Sequence, residues 1–192
     1  MTMRRSGAVV TMLAAVLSMA GCGILRRVPN QFYSLETIAP TTPVATIAGT
    51  PIGVDGIQLP PGLDRRGIVL RGADHRFEVR GQQQWASDLE EMVIHTLAFD
   101  LAGRLPVGMV VLPGQAKPAG PIRALFVNFE DLAPGPDGVF VLDARWTMGE
   151  MARHERIEIP MQSTESPAVV AAMSQALAQL ADRIVAAVRG AS

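Results

Sequence analysis

Two long stretches of the chain carry apolar residues at every third or fourth position, and this spacing predicts two amphipathic helices. The first is expected to run from Ser87 to Leu105, with Ser87 as its N-cap and Glu90 completing a capping box. The second is expected to have Ser166 as its N-cap, proline at its first position and Gly190 at its end. Its predicted apolar face consists of Val169, Met173, Leu177, Leu180, Ile184 and Val188.

Shorter stretches alternate apolar with polar residues or form brief apolar runs, which predicts β-strands. The expected strands cover residues 31–35, 52–59, 66–71, 76–81, 107–112, 122–130, 139–149 and 156–161. The third and fourth are expected to pair as a hairpin, with Phe77 and Val79 on one face. The sixth and seventh are expected to form a longer hairpin across the turn-rich residues 134–138. On the second arm of that hairpin, one shared face is predicted to comprise Phe140, Leu142, Ala144, Trp146 and Met148.

Together these elements predict an α+β domain, built from a mostly antiparallel sheet with two main helices packed on one face. The length of 192 residues suits one folded unit, which is expected to occupy residues 31–192. The formal net charge of -1 argues against a nucleic-acid partner. The single cysteine, Cys22, excludes an internal disulfide framework, so its position needs another explanation.

The N-terminus has the layout of a secretory signal peptide, expected to cover residues 1–21. Arg4 and Arg5 precede an apolar run at residues 8–20, which is shorter than the roughly 20 residues needed to span a bilayer. Met19, Ala20 and Gly21 then lead into the cysteine and resemble a lipobox, although leucine is usual where Met19 stands. We therefore expect cleavage before Cys22, lipidation of its thiol and a tether over residues 22–30; an uncleaved signal anchor is the alternative. Glycine rather than aspartate follows the cysteine, which favours the outer membrane.

Motifs that carry familiar chemistry are missing from the sequence. There is no glycine-rich phosphate loop, no HExxH, no CxxC and no Gly-x-Ser-x-Gly. The three histidines, His75, His95 and His154, match no metal-ligand spacing, and His95 is expected to have a structural role among apolar helix neighbours. We expect no catalytic residue, no metal and no cofactor.

A polar cluster at Asp64, Arg65 and Arg66 is the strongest candidate for a contact surface, either for a partner or for anionic head groups. The alternative is a solvated loop in which Asp64 pairs locally or caps its turn. Trp85 and Trp146 could line a lipid path, but large aromatic side chains more often lie in the core. The acidic residues Asp88, Glu90 and Glu91 could act in acid–base chemistry, although a helix start explains them better.

An ordered series of short motifs resembles the ABC-type transport auxiliary lipoprotein family of the PqiC/YmbA type. The motifs are Phe32-Tyr33-Ser34-Leu35, Ile52-Gly53-Val54 with Leu59-Pro60, Leu63-Asp64-Arg65 before Ile68-Val69, Phe77-Glu78-Val79 before Trp85, Arg145-Trp146, and the helical stretch 173–181. The resemblance covers nearly all of the chain after Gln31. Two positions depart from the family pattern: Arg66 stands where proline is frequent, and Gln84 stands where an aromatic residue or histidine is frequent.

The resemblance implies a periplasm-facing lipoprotein that works with an MCE-domain lipid carrier and inner-membrane transporter components. It also implies that the protein acts as an adaptor or channel end, with a possible homo-oligomeric ring. The residues expected to form a partner surface or structural motif are Tyr33, Leu63, Asp64, Arg65, Trp85 and Trp146. Two other interpretations stay open: a small envelope hydrolase using Asp64, His75 or the acidic helix start, and a structural envelope lipoprotein without a transport role.

Overall fold

The computed structural model describes residues 29–41, 49–72, 74 and 76–190. The predicted signal peptide, Cys22 and most of the expected tether lie outside the described residues, as does His75. The described residues have an α+β fold, which confirms the predicted fold class. Its elements are β1 (Gln31–Tyr33), β2 (Ile52–Gln58), β3 (Gly67–Arg71), β4 (Phe77–Trp85), α1 (Leu89–Arg104), β5 (Val110–Val111), β6 (Arg123–Pro134), β7 (Val139–Met148), β8 (Met151–Pro160) and α2 (Ser166–Gly190).

The larger sheet has five strands in the order β5-β2-β6-β7-β8. Strands β6, β7 and β8 form an antiparallel meander, as the sequence predicted for its first two arms. Strand β2, however, pairs in parallel with both β5 and β6, so the sheet is mixed rather than antiparallel throughout. The reason is the long excursion after β2 through β3, β4 and α1, which returns the chain in the same direction.

A second, smaller sheet has the order β1-β4-β3. Strands β3 and β4 form the predicted hairpin, while β1 pairs in parallel with the end of β4. Strand β4 extends to Trp85, beyond the predicted end at residue 81, because its last three residues pair with β1. Phe77 and Val79 are 50% and 43% exposed, so these apolar side chains of β4 face solvent in the monomer.

The register of the β3–β4 pairing shifts between Gly67, which pairs with Gln84, and Ile68, which pairs with Arg80. A Cβ atom on Gly67 would lie 2.9 Å from the carbonyl oxygen of Arg80, too close for any side chain without backbone movement. Glycine at this position therefore permits the close approach of the two strands.

The core lies between the five-stranded sheet and the two helices. Trp146, Phe140 and their neighbours on the predicted β7 face are at most 1% exposed, which confirms that face as buried. The predicted apolar face of α2 is also buried. By length and composition α2 is long and apolar enough to cross a membrane. However, 67% of its most apolar 18-residue stretch is buried inside the domain, as expected for a core helix.

Both helix starts differ from the prediction by one residue. The N-cap of α1 is Asp88, not Ser87: its Oδ1 atom accepts hydrogen bonds from the backbone N–H of Glu90 at 2.9 Å and of Glu91 at 3.3 Å. Helix α2 already includes Ser166, whose hydroxyl donates to Gln83 on β4 at 2.6 Å instead of capping the helix. The serine side chain is thus used to join α2 to the small sheet.

Candidate functional site

A cleft of about 480 Å³ opens where β4 runs into α1, and we call it the β4–α1 cleft. One wall is the loop between β2 and β3, and the other is the link from β4 to α1. The exposed ring of Phe32 on β1 lies at its edge. The lining residues are Phe32, Asp64, Arg65, Arg66, Gln84, Trp85, Ala86, Ser87, Asp88 and Leu89.

Backbone hydrogen bonds hold the segments around this cleft in place. The N–H of Trp85 donates to the carbonyl oxygen of Arg66 at 2.8 Å, which ties β4 to the charged loop. The N–H of Ala86 donates to the carbonyl oxygen of Tyr33, also at 2.8 Å, which ties the start of α1 to β1. Within the loop, the N–H of Arg65 donates to the carbonyl oxygen of Leu63 at 2.7 Å. The cleft is therefore framed by the main chain rather than by mobile side chains.

The floor of the cleft is closed. Leu63 and Trp85 are each 5% exposed and pack with Ile68 and Leu89 around a void of only about 10 Å³. Such a void is about large enough for one water molecule and far too small for an acyl chain. Trp85 thus has one edge on the cleft and its body in the core.

The rim of the cleft carries charges that have no partner among the described residues. The side chains of Asp64, Arg65 and Arg66 are exposed and form no hydrogen bond or ion pair within the described ranges. Asp64 therefore neither caps its own turn nor pairs locally there. Arg71 at the end of β3 differs, because its guanidinium makes two hydrogen bonds to the carboxylate of Asp131, at 2.7 and 2.6 Å.

Asp88 contributes a further carboxylate to the cleft. One of its oxygens caps α1, so this residue has a structural role at the helix start, as the sequence suggested for the acidic residues there. Glu90 and Glu91 follow in the exposed first turn of the helix. The cleft therefore presents both signs of charge within one concave surface.

Of the six sequence-predicted residues, Asp64, Arg65 and Trp85 line the β4–α1 cleft, and Leu63 packs under it. Tyr33 is not among the lining residues, but it pairs with Trp85 and its carbonyl oxygen accepts the N–H of Ala86.

Trp146 does not join them. It is fully buried in the core of the larger sheet, where its indole N–H has no partner among the described residues.

His95 was expected to be structural among apolar neighbours; it is exposed and stacks on Phe99 with ring centroids 4.5 Å apart.

A buried polar network between the helices was not predicted from the sequence. Arg104 donates from Nε to Oδ1 of Asp182 at 2.6 Å and lies 3.6 Å from Asp100 on its own helix. The chain after β1 joins this network, because the N–H of Ile38 donates to Asp100 at 2.9 Å and its carbonyl oxygen accepts from Arg104 at 3.1 Å. Burial raises the pKa of Asp100 to about 6. An aspartate and an arginine four residues apart on the apolar side of a helix were a signal for such a pair.

A second charged cluster lies on the outer face of the larger sheet. Burial opposes ionisation of Asp143, but hydrogen bonds from His154 at 2.5 Å and Arg156 at 3.1 Å outweigh it and lower the pKa of this carboxyl group. Glu130, Asp143 and His154 place potential metal-ligand atoms within 4.8 Å of one another. Arg145 and Arg156 already neutralise the two carboxylates, so a cation would have to displace these bonds.

These features define an α+β domain of two mixed sheets and two helices, with a charged cleft at the end of the smaller sheet. The family described as ABC-type transport auxiliary lipoprotein component matches residues 33–185. The match runs from β1 into α2, and the chain belongs to this family. The resemblance inferred from the ordered motifs is thereby confirmed.

Two relatives and two solved structures are similar to this chain. The intermembrane transport lipoprotein PqiC of Escherichia coli K12 is 24% identical over 141 residues, which cover 72% of this chain and 73% of PqiC. PqiC of Shigella flexneri matches to the same extent. A crystal structure of an uncharacterised protein has a TM-score of 0.67 at 18% identity, covering 84% of this chain and 99% of that one. Protein XCC0632 from Xanthomonas campestris has a TM-score of 0.60 at 16% identity, covering 81% and 92%. At these identities the two structures show a shared fold alone.

Proposed function

We propose that the protein is a periplasm-facing, lipid-anchored component of an MCE-type intermembrane lipid transport system, acting as an adaptor or channel end rather than as an enzyme. The family match across the folded domain is the observation that carries the proposal. The relative's description as an intermembrane transport lipoprotein supports the same role. Its partners would be an MCE-domain lipid carrier and inner-membrane transporter components, and the protein itself could assemble as a homo-oligomeric ring.

The connection between the proposed anchor and the folded domain supports a position close to a membrane. Residues 22–30 can span at most about 30 Å when fully extended. They lead into β1, where Gln31, Phe32 and Tyr33 pair in register with the end of β4. The lipid on Cys22 would therefore hold the β4–α1 cleft within a short distance of the bilayer surface. Gly23 after the cysteine favours the outer membrane over the inner one.

Crosslinking in intact cells tests the adaptor role. The lipidated protein is expected to be recovered with an MCE-domain protein, identified by mass spectrometry. A Cys22→Ser variant is the matched control, because it keeps the folded domain and loses the proposed lipid, and it should recover much less of that partner. Recovery of the lipoprotein without any MCE-domain protein would contradict the adaptor role and favour a structural envelope lipoprotein.

The hydrolase alternative has a separate test. It places catalysis on Asp64, His75 or the acidic residues at the start of α1, and the cleft does bring Asp64 and Asp88 to one surface. Asp64→Asn should then abolish hydrolysis of envelope ester or amide substrates by the purified protein. The adaptor proposal expects no such hydrolysis by the wild-type protein.

A further inference from the structure

The charges of the β4–α1 cleft are arranged for a ligand that carries both signs. Arg65, Arg66 and Asp64 all line the cleft, and their charged side chains have no partner among the described residues. Asp88 adds a second carboxylate, of which only Oδ1 is used to cap α1. A purely anionic ligand would be attracted by the arginines but repelled by the two aspartates, so the cleft is not a simple anion site.

Guanidinium groups bind phosphate through parallel N–H donors, which makes two adjacent arginines on one cleft well suited to a phosphodiester. A carboxylate accepts hydrogen bonds from a primary ammonium group. A phosphodiester joined to a primary ammonium by a short linker therefore carries charges complementary to those of Arg65, Arg66 and Asp64. The polar head of an ethanolamine phospholipid has this chemistry.

The shape of the cleft limits what enters it. The void beneath Trp85 measures only about 10 Å³, so an acyl chain cannot pass through the floor of this cleft. Phe32 is 64% exposed at the edge of the cleft, where an aromatic ring can contact the ester and glycerol region of a lipid. The cleft thus fits a head group whose chains remain in the bilayer.

We propose that the β4–α1 cleft binds the zwitterionic head group of an ethanolamine phospholipid, with Arg65 and Arg66 on the phosphate and Asp64 on the ammonium group. This inference rests on the proposed function for the nearness of a membrane. Binding docks the domain against the lipid surface in a defined orientation and leaves the lipid in the bilayer.

Protection of arginines from phenylglyoxal provides a residue-resolved test. The lipidated full chain is placed in three kinds of nanodisc. The first contains phosphatidylcholine alone, the second equal parts of phosphatidylcholine and phosphatidylethanolamine, and the third equal parts of phosphatidylcholine and phosphatidylglycerol. Modification is followed by peptide mass spectrometry, with the exposed Arg153 on β8 as the internal reference. Arg65 and Arg66 are expected to react several-fold more slowly with phosphatidylethanolamine than with either other lipid, while Arg153 reacts equally in all three. Equal protection in all three discs, or strongest protection with phosphatidylglycerol, overturns the proposal.

Two variants separate the subsites. Asp64→Asn keeps the side-chain size and should abolish the preference for phosphatidylethanolamine over phosphatidylglycerol. An Arg65→Gln, Arg66→Gln double variant should not respond to added glycerophosphoethanolamine in NMR titrations of the micelle-bound protein, whereas an Arg153→Gln control should respond as the wild type does. If Asp64→Asn keeps the lipid preference, or if inorganic phosphate binds as well as glycerophosphoethanolamine, the ammonium subsite is wrong.

The head-group proposal and the adaptor proposal fail in different ways. Loss of the lipid preference with continued crosslinking to an MCE-domain protein would overturn only the head-group site. A retained lipid preference without any crosslinked partner would overturn only the adaptor role.

Discussion

Arg104 on α1 and Asp182 on α2 form an ion pair across the helix interface, with Arg104 Nε 2.6 Å from Asp182 Oδ1. The arginine is only 4% exposed and also lies 3.6 Å from the fully buried Asp100. Its guanidinium further donates to the carbonyl oxygen of Ile38, in the segment that follows β1. One side chain therefore connects both helices with the chain that leads from the proposed lipid anchor.

Substitution of Arg104 should destabilise the folded domain. Arg104→Met keeps much of the side-chain volume but leaves Asp100 buried without its cation, so we expect the free energy of unfolding to fall by about 3 kcal/mol or more. Chemical denaturation measures the change. Arg183→Met is the matched control, because the Arg183 side chain is 47% exposed and its pair with Glu155 should contribute less than about 1 kcal/mol. Equal effects of the two substitutions would contradict the central role of Arg104.

Asp100 should make stability depend on pH. Burial is the main cause of its folded-state pKa of about 6, against an ordinary value of 3.8. Between these values the folded state holds more protons than the unfolded state, so this group makes the free energy of unfolding fall as the pH rises from 3.8 to about 6. Asp100→Asn should flatten this part of a denaturation-versus-pH curve.

The Asp143→Asn variant serves as the comparison for the pH dependence of the free energy of unfolding. The lowered pKa of Asp143 means that its contribution to stability is present above its ordinary pKa and is lost only as the pH falls through the lower folded value. Its substitution should therefore change the curve in a more acidic range than Asp100→Asn does. A curve that keeps its slope between pH 3.8 and about 6 in the Asp100→Asn variant would show that another group is responsible.

The N-cap of α1 can be assigned by substitution. Asp88→Ala removes the acceptor of two backbone N–H groups and should lower the free energy of unfolding by about 1 kcal/mol. Ser87→Ala removes a hydroxyl that forms no hydrogen bond within the described residues, and it should have little effect. Thermal or urea denaturation of both variants distinguishes the two positions, and a larger effect of Ser87→Ala would restore the capping box expected from the sequence.

Hydrogen exchange should show how the segment after β1 is held to α2. The backbone N–H of Glu36 donates to the hydroxyl of Ser174 at 3.1 Å, so Ser174→Ala should speed exchange at Glu36. The N–H of Ile38 donates instead to Asp100 and provides an internal control. Unchanged exchange at Glu36, or equal acceleration at both amides, would contradict a specific role for Ser174.

Local sequence pattern was enough to predict the elements that bury one continuous face. The apolar faces of β7 and α2 lie in the core as predicted. Side chains return to the same face every two residues in a strand and about every 3.6 residues in a helix, so the spacing of apolar residues alone identifies the apolar face of each element. The helix starts were predicted less well. Asp88 shows that a neighbouring carboxylate can cap a helix in place of the predicted serine. Ser166 shows that a serine at a helix start can instead donate its hydrogen bond to a strand of the small sheet.

The parallel pairing of β1 with β4 could not be predicted from the local sequence pattern. Strand β1 has only three residues, and its register with Gln83, Gln84 and Trp85 depends on the whole intervening chain. The same holds for the split into two mixed sheets, since parallel neighbours require a long connection whose path is not encoded by alternation. The pairing of β1 with β4 helps to form the cleft, because it brings Phe32 near the loop that contains residues 64–66.

The sequence by itself determined the α+β class, the two helices and the core faces of the long hairpin, because these depend on residues that are close along the chain. It also singled out Asp64 and Arg65 as chemically notable. Only the tertiary structure decided that these charges lie near Phe32 above a closed floor without a partner in the described part of the chain. It also decided that Asp100, Arg104 and Asp182 meet between the helices. Contacts between residues 60 to 80 positions apart arise from the packing of whole elements, and no short window of sequence contains both partners.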